Sequence, residues 1–297
     1  MRKFNLKYEL LLGLLRGIAN LPLSVLYRIS DCLSFFTHRI LKYRVTIVRE
    51  NLRNSFPEKD IRELKKIEKK FYRHLCDVIV ESIKLLKISD KTLSKRVKVI
   101  NPEVVQTALD SSNIVILFLG HYANWEWVPF LTHYFDKDIE MGSLYQPLHS
   151  KLMNEIMKKI RSRHGIELIE SRNAYRRMVE KKQSQRKFMV GFIGDQRPLN
   201  SKQKNDVVFL NQPTDTLVGG ETIGKKIGSK FLFLDINSKK RGYYDLTFKE
   251  MDVTKYFSHK ESYPHTHLFY KYLETSIRSN PHLWLWSHNR WNLPKRK

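Results

Sequence analysis

Cysteine is nearly absent from this sequence. Cys32 and Cys76 are the only two in 297 residues, so no disulfide framework is expected and a reducing compartment suits the chain. No cysteine–histidine cluster has zinc-type spacing. His265 and His267 read as two surface histidines on one face of a strand. No G-x-S-x-G elbow occurs, which disfavours a serine hydrolase. No window holds the ~18 apolar residues of a clean membrane-spanning helix, and a mean hydropathy of −0.46 excludes a polytopic membrane protein. No small-residue cleavage site follows the first apolar stretch, so the N-terminal segment is expected to be retained. Internal repeats and low-complexity linkers are missing too. Acidic side chains are few beside basic ones: 30 Asp and Glu against 54 Lys and Arg give a net charge of +24. Such a field favours polyanions, whether nucleic acid, anionic lipid surfaces, phosphorylated substrates or acidic carrier proteins.

A chain of this length can bury a sizeable core. Its first 44 residues differ from the rest. Leu10–Leu15 and Gly17–Tyr27 are apolar, but Arg16 and Arg28 interrupt them and Pro22 breaks the helix. That pattern, continued by Arg39, Lys42 and Arg44, suits a helix lying in, or dipping into, an anionic membrane interface, with a tilted single span or an amphipathic helix packed on its own domain as the alternatives. Glu58–Leu86 then carries Ile61, Leu64, Ile67, Phe71, Leu75 and Val78 at helical spacing. This predicts one long amphipathic helix whose charged face is solvated. From Val97 onward strands and helices alternate. Strands are expected at Val97–Ile100, Ile139–Tyr145, Ile166–Ile169, Lys187–Ile193, Lys230–Ile236 and Tyr243–Lys249. Helices are expected around His149–Arg163, Asn173–Lys182 and Val218–Ile227, and a polar loop at Leu199–Asp206. The fold class is therefore α/β, a mostly parallel central sheet flanked by helices, with residues 1–44 as a membrane-associating helical segment and 45–297 as the main domain.

The chain is organised around Asn113–Phe130, NIVILFLGHYANWEWVPF. Ile114–Leu119 is an unbroken apolar run of the kind a doubly covered strand shows. Gly120 ends it, and His121 enters the strand-to-helix loop where open α/β sheets bind ligands. Asn124 is a candidate N-cap for a helix starting near Trp125. On one continuous helix His121 and Glu126 would diverge. With the histidine on the loop and the glutamate on the helix they can converge, and a carboxylate on Nδ1 would leave Nε2 free as a base. A loop histidine and a glutamate that merely favours a helix start explain the pair equally well in isolation.

A histidine, four residues and an acid, directly after an apolar strand, resemble the signature of glycerolipid-type acyltransferases. The phrase GHYANWEW is similar to the late acyltransferases of lipid A biosynthesis. NLRNSFPE, Asp195-Gln196, Phe209-Leu210-Asn211, Thr214, Gly219-Gly220 and the final tryptophan-histidine-arginine-tryptophan phrase follow in that family's order. The family's tyrosine-arginine-proline phrase appears as Tyr145-Gln146-Pro147, which weakens any phosphate contact there. Arg163, before His164 and Gly165, matches an arginine of the family and is the better anion-binding candidate.

The resemblance implies His121 as general base and Glu126 as the carboxylate that orients it, with Asn124, Arg163, Asp195 and Gln196 binding substrate. Backbone donors at the start of the helix after His121 would stabilise the oxyanion. It implies acyl carrier protein as donor, a hydroxyl of an anionic lipid A precursor as acceptor, no metal or bound cofactor, no nucleic acid, and the cytoplasmic face of a bacterial inner membrane. Acylation of a lysophospholipid or aminolipid would use the same residues. Net charge alone would also fit a nucleic-acid-binding protein, with Trp284, Trp286 and Trp291 stacking on bases. On the lipid reading those tryptophans and Arg290, Lys295, Arg296 and Lys297 sit at headgroup level.

Overall fold

The computed structural model describes residues 2–198, 206–257 and 261–291. Its helices are α1 (Arg2–Asn20), α2 (Leu23–Phe35), α3 (Val45–Ser55), α4 (Ile61–Lys84), α5 (Asp90–Ser94), α6 (Glu103–Ser111), α7 (Lys151–Arg161), α8 (Ala174–Gln183), α9 (Gly219–Ile227) and α10 (Pro264–Ser279). Its strands are β1 (Val97–Val99), β2 (Ile114–Leu119), β3 (Glu140–Tyr145), β4 (Glu167–Glu170), β5 (Phe188–Ile193), β6 (Asp206–Phe209), β7 (Gln212–Asp215), β8 (Lys230–Lys240) and β9 (Tyr243–Glu250).

Seven strands form one sheet in the order β1-β9-β8-β2-β5-β3-β4. Strands β8, β2, β5, β3 and β4 run parallel, and β9 turns back antiparallel to β8. The mostly parallel sheet flanked by helices is what the alternating pattern predicts. All six residues of β2 are buried, because α6, α9 and α10 pack against it. The β8–β9 turn needs Gly242: its φ is +72°, and a Cβ there would lie 1.9 Å from the Tyr27 hydroxyl.

Three elements differ from expectation. His265 and His267 start α10 and not a strand. Leu268, Phe269, Leu273 and Ile277 give that segment its buried helical face, and the Glu221 carboxylate accepts the Thr266 backbone N–H in its first turn. Residues 206–215, of which only Asp206 belongs to the expected polar loop, form the β6–β7 hairpin. Its turn residues Leu210 and Asn211 both have positive φ, as a tight hairpin of this twist requires. The remainder of the expected polar loop, 199–205, lies outside the described residues. The charged face of α4 is only partly solvated, since Glu68, His74, Asp77 and Glu81 are buried.

Those buried groups receive the N-terminal helices. Ser30 donates to Asp77, and Arg241 bridges Asp77 and Asp31. Lys84 caps the end of α1 through the Ala19 and Leu21 carbonyls, at 2.8 Å each. Leu12, Ala19, Leu23 and Leu26 are buried, while Leu10, Leu14, Leu33 and Phe35 face outward. No single described helix is long and apolar enough to cross a membrane. The pair Leu6–Asn20 and Leu23–Ile40, bent by 114°, meets the length and composition needed.

Candidate active site

The register of the sheet builds the site. Leu119 of β2 is paired with Ile193 of β5 in a parallel ladder. Each strand then continues through one glycine, so His121 and Asp195 leave the same sheet edge side by side. The Asp195 carboxylate accepts from His121 Nδ1 at 2.7 Å and from the His121 backbone N–H at 2.8 Å. The indole N–H of Trp284 donates to it as well, at 2.8 Å. Asp195 is only 2% exposed. Burial alone would raise its pKa. The His121 ring and these hydrogen bonds outweigh burial and hold the carboxyl below its usual value.

An ionised Asp195 on Nδ1 fixes the imidazole tautomer that leaves a lone pair on Nε2. That nitrogen faces a cavity of about 570 Å³ and lies 3.2 Å from the Gln196 amide nitrogen. The cavity's apolar lining includes Leu117, Leu119, Met141, Leu144, Met189 and Phe192. Its polar end gathers His121, Glu126, Arg161, Gln196 and Arg197. A base at the mouth of a largely apolar cleft suits proton abstraction beside a bound aliphatic chain.

Glu126 lines the same cavity but does not hold His121. Its carboxylate pairs with Arg161 at 2.6 and 2.9 Å and accepts the neighbouring Trp125 indole N–H. The cause is geometric: Trp125–His133 is a 3₁₀ helix, and Glu126 on its first turn meets Arg161 at the end of α7. Asp195 already fills the position at Nδ1. Arg163 is also placed differently. Its guanidinium donates to the Leu85 and Ile88 carbonyls, away from the cavity. Arg161, two residues earlier, reaches the cavity instead.

Asn124 makes no cap bond. Its side chain is 1% exposed and donates to Glu81 behind the site, so it touches neither the cavity nor a substrate within it. Gln196 alone of the proposed substrate residues lies in the cavity, since Asp195 is buried behind His121. Of the backbone donors along this loop, the His121 N–H goes to Asp195, the Ala123 N–H to the Leu283 carbonyl and the Trp127 N–H to the Asn124 carbonyl. Arg161 and Gln196 add side-chain donors to the cavity lining.

Trp284 and Trp286 are buried and not headgroup anchors, and Trp284 supports the site. Trp284 and Trp286 are 2% and 0% exposed. The Trp291 indole donates to Thr214, and Arg290 is buried against Tyr270 and the Asp215 carbonyl. Lys295, Arg296 and Lys297 lie outside the described residues. One further cluster escaped the sequence: Asp90, His133 and His164 bring potential ligand atoms within 4.8 Å of one another. The Arg163 guanidinium lies 3.9 Å from Asp90, a neighbour that disfavours a cation there.

A family profile described as bacterial lipid A biosynthesis acyltransferase matches residues 5–293, nearly the whole chain. The chain belongs to that family. A comparison with curated proteins finds no match. Family membership makes this chain an acyltransferase, and the His121–Asp195 pair beside an apolar cavity is where its geometry concentrates acid–base chemistry. In this acyltransferase Glu126 fixes the Arg161 guanidinium at the same mouth. Arg161→Lys keeps the charge but loses the planar fork that matches the carboxylate. Turnover should fall by at least about tenfold, with a smaller change for Glu126→Gln, in an acyl-transfer assay of the purified variants.

Proposed function

We propose that this protein is a membrane-associated O-acyltransferase that moves a fatty acyl group from an acyl-carrier-protein thioester to a hydroxyl of a lipid A precursor. The observation that carries the reading is the His121 Nδ1–Asp195 contact of 2.7 Å at the mouth of an apolar cavity. His121 Nε2 takes the proton from the acceptor hydroxyl as its oxygen attacks the thioester carbonyl carbon. Asp195 stabilises the imidazolium. The tetrahedral oxyanion is countered by Arg161 and the Gln196 amide N–H. It collapses with formation of the ester and cleavage of the C–S bond, and the imidazolium returns its proton to the leaving thiolate. Positioned base catalysis of this kind contributes roughly 10²–10⁴-fold. The apolar residues of the cavity accept the acyl chain, and the net charge of +24 favours an acidic carrier and a phosphorylated acceptor.

The test is transfer in vitro, with acyl carrier protein loaded with a fatty acid and a purified lipid A precursor, the product read by mass spectrometry. Formation of an acyl ester on the precursor is expected. Transfer only to a lysophospholipid or an aminolipid would move the acceptor to that class. Tight RNA or DNA binding without transfer would support the nucleic-acid alternative, although its predicted stacking residues Trp284 and Trp286 are buried.

Membrane attachment is assigned to the outer face of α1 and α2. Truncating at Tyr43 would also uncover the buried face of α4, so substitution is the cleaner experiment. Leu10, Leu14, Leu33 and Phe35 are 65%, 61%, 40% and 62% exposed, and each full burial of such a side chain is worth about 1.5–3 kcal/mol. Changing all four to serine should lower binding to anionic vesicles by at least about tenfold, with the circular dichroism spectrum unchanged. Equal vesicle binding would contradict the assignment.

A further inference from the structure

Glu81 is fully buried on α4 and lies outside the cavity lining. Its carboxylate accepts from three elements: the Tyr27 hydroxyl on α2 at 2.7 Å, the Tyr244 hydroxyl on β9 at 2.9 Å and the Asn124 amide at 2.5 Å. Its backbone carbonyl accepts the Trp127 indole N–H at 3.1 Å. Asn124 and Trp127 belong to the segment that follows His121. Two turns earlier on the same face of α4, His74 Nε2 lies 3.1 Å from the Ala123 carbonyl oxygen.

The segment between His121 and Glu126 needs such support. Ala123 has a φ of +51°, a conformation that a residue with a Cβ holds only when its surroundings impose it. The Ala123 N–H is held by the Leu283 carbonyl and its oxygen by His74. Asn124 is then tied down by Glu81. Its own Oδ1 has no hydrogen-bond partner among the described residues, so the amide contact to Glu81 is what orients this side chain. Residue type matters here. A carboxylate offers about four lone-pair sites, enough for three converging donors; burial pushes the Glu81 pKa up to about 7, and the bonds from Tyr27, Tyr244 and Asn124 oppose that rise.

We propose that Glu81 is a positioning residue of this acyltransferase: by binding the Asn124 amide it fixes the strained loop that presents His121 to Asp195 and to the cavity. The inference rests on the reading of His121 as the base. Tyr27 and Tyr244 serve as internal controls, because each donates to the same carboxylate without belonging to the loop. A scaffold role treats all three donors alike, whereas positioning singles out Asn124.

The experiment measures kcat, KM for the loaded carrier protein and Tm in the full chain, using the same thioester and lipid A precursor. The variants are Asn124→Ala, Tyr27→Phe, Tyr244→Phe, Glu81→Leu and Glu81→Gln. Asn124→Ala and Glu81→Leu should lower kcat by about 10²-fold, the scale of a misplaced catalytic group, with KM changed by less than about threefold. The two tyrosine variants should lower Tm comparably but keep kcat within about threefold. Glu81→Gln should recover most of kcat, because its amide oxygen still accepts from Asn124 while the Tyr27 hydroxyl turns to accept from its NH₂. Asn124→Ala combined with Glu81→Leu should be no slower than Glu81→Leu alone. A kcat that follows Tm alike in all variants, or wild-type kcat in Asn124→Ala, would overturn the proposal. If Glu81→Leu does not fold, the contrast between Asn124→Ala and the tyrosine variants decides. His121→Ala in the same assay separates the two readings. An active His121→Ala defeats the base assignment, whereas an inactive one beside an active Asn124→Ala defeats only the role of Glu81.

Discussion

Acyl transfer by purified His121→Ala falls by about 10²–10⁴-fold or more, the contribution of a positioned base, while the protein remains folded. The side chain is 16% exposed and sits on a loop at a cavity mouth, so its loss removes little core packing. What remains is a vacant space next to Asp195 into which water can enter. The check is thioester consumption in parallel with circular dichroism. Loss of folding in this variant would assign His121 a structural role in place of the chemical one.

Asp195→Asn is expected to be the second severe change, although it alters one atom. An asparagine oxygen can serve Nδ1 of His121, but the amide NH₂ then meets two donors, the His121 backbone N–H and the Trp284 indole N–H. Turning the amide over puts NH₂ against Nδ1 and forces the imidazole into the tautomer with its proton on Nε2. Either arrangement is poor. The first leaves buried donors unpaired at about 1–3 kcal/mol each, and the second removes the base. By the logic of carboxylate-oriented histidines, turnover falls by as much as ~10⁴. The stability effect has a definite sign. Asp195 has its pKa lowered from 3.8 in the folded chain, so its charge contributes stability above that value and the contribution fades as pH falls through the folded pKa. The variant lacks this contribution at every pH above 3.8, and its acid unfolding should lose that dependence.

The parts of this account legible in the sequence are those written in local pattern. The apolar run Ile114–Leu119 and its glycine announce a buried strand and a ligand-binding loop. The Asp195-Gln196 pair directly after the expected strand Lys187–Ile193 marks a second polar strand end. Which carboxylate meets His121 is different information. It depends on β2 and β5 being neighbours with Leu119 opposite Ile193, and strand order is not a local property. The five-residue spacing drew attention to Glu126, whose true partner Arg161 lies 35 residues further on. Arg161 and Arg163 are two apart in sequence, yet only the first ends up in the cavity, because the helix α7 stops between them. The tryptophans near the C-terminus have the composition of a membrane belt. Trp284 and Trp286 are buried instead, and the Trp284 indole holds Asp195, while α10 itself was readable from Leu268, Phe269, Leu273 and Ile277.

The central claim is that His121 and Asp195 act as one unit, and Glu126 separately from them. The most direct measurement is single-turnover acyl transfer in two double-variant cycles, His121→Ala with Asp195→Asn and His121→Ala with Glu126→Gln. An orienting carboxylate has nothing to orient once the imidazole is gone, so His121→Ala/Asp195→Asn should be no slower than His121→Ala alone, within about twofold. His121→Ala/Glu126→Gln should be slower by the full factor that Glu126→Gln causes by itself. The reverse pattern, independence of Asp195 and non-additivity of Glu126, would contradict the account.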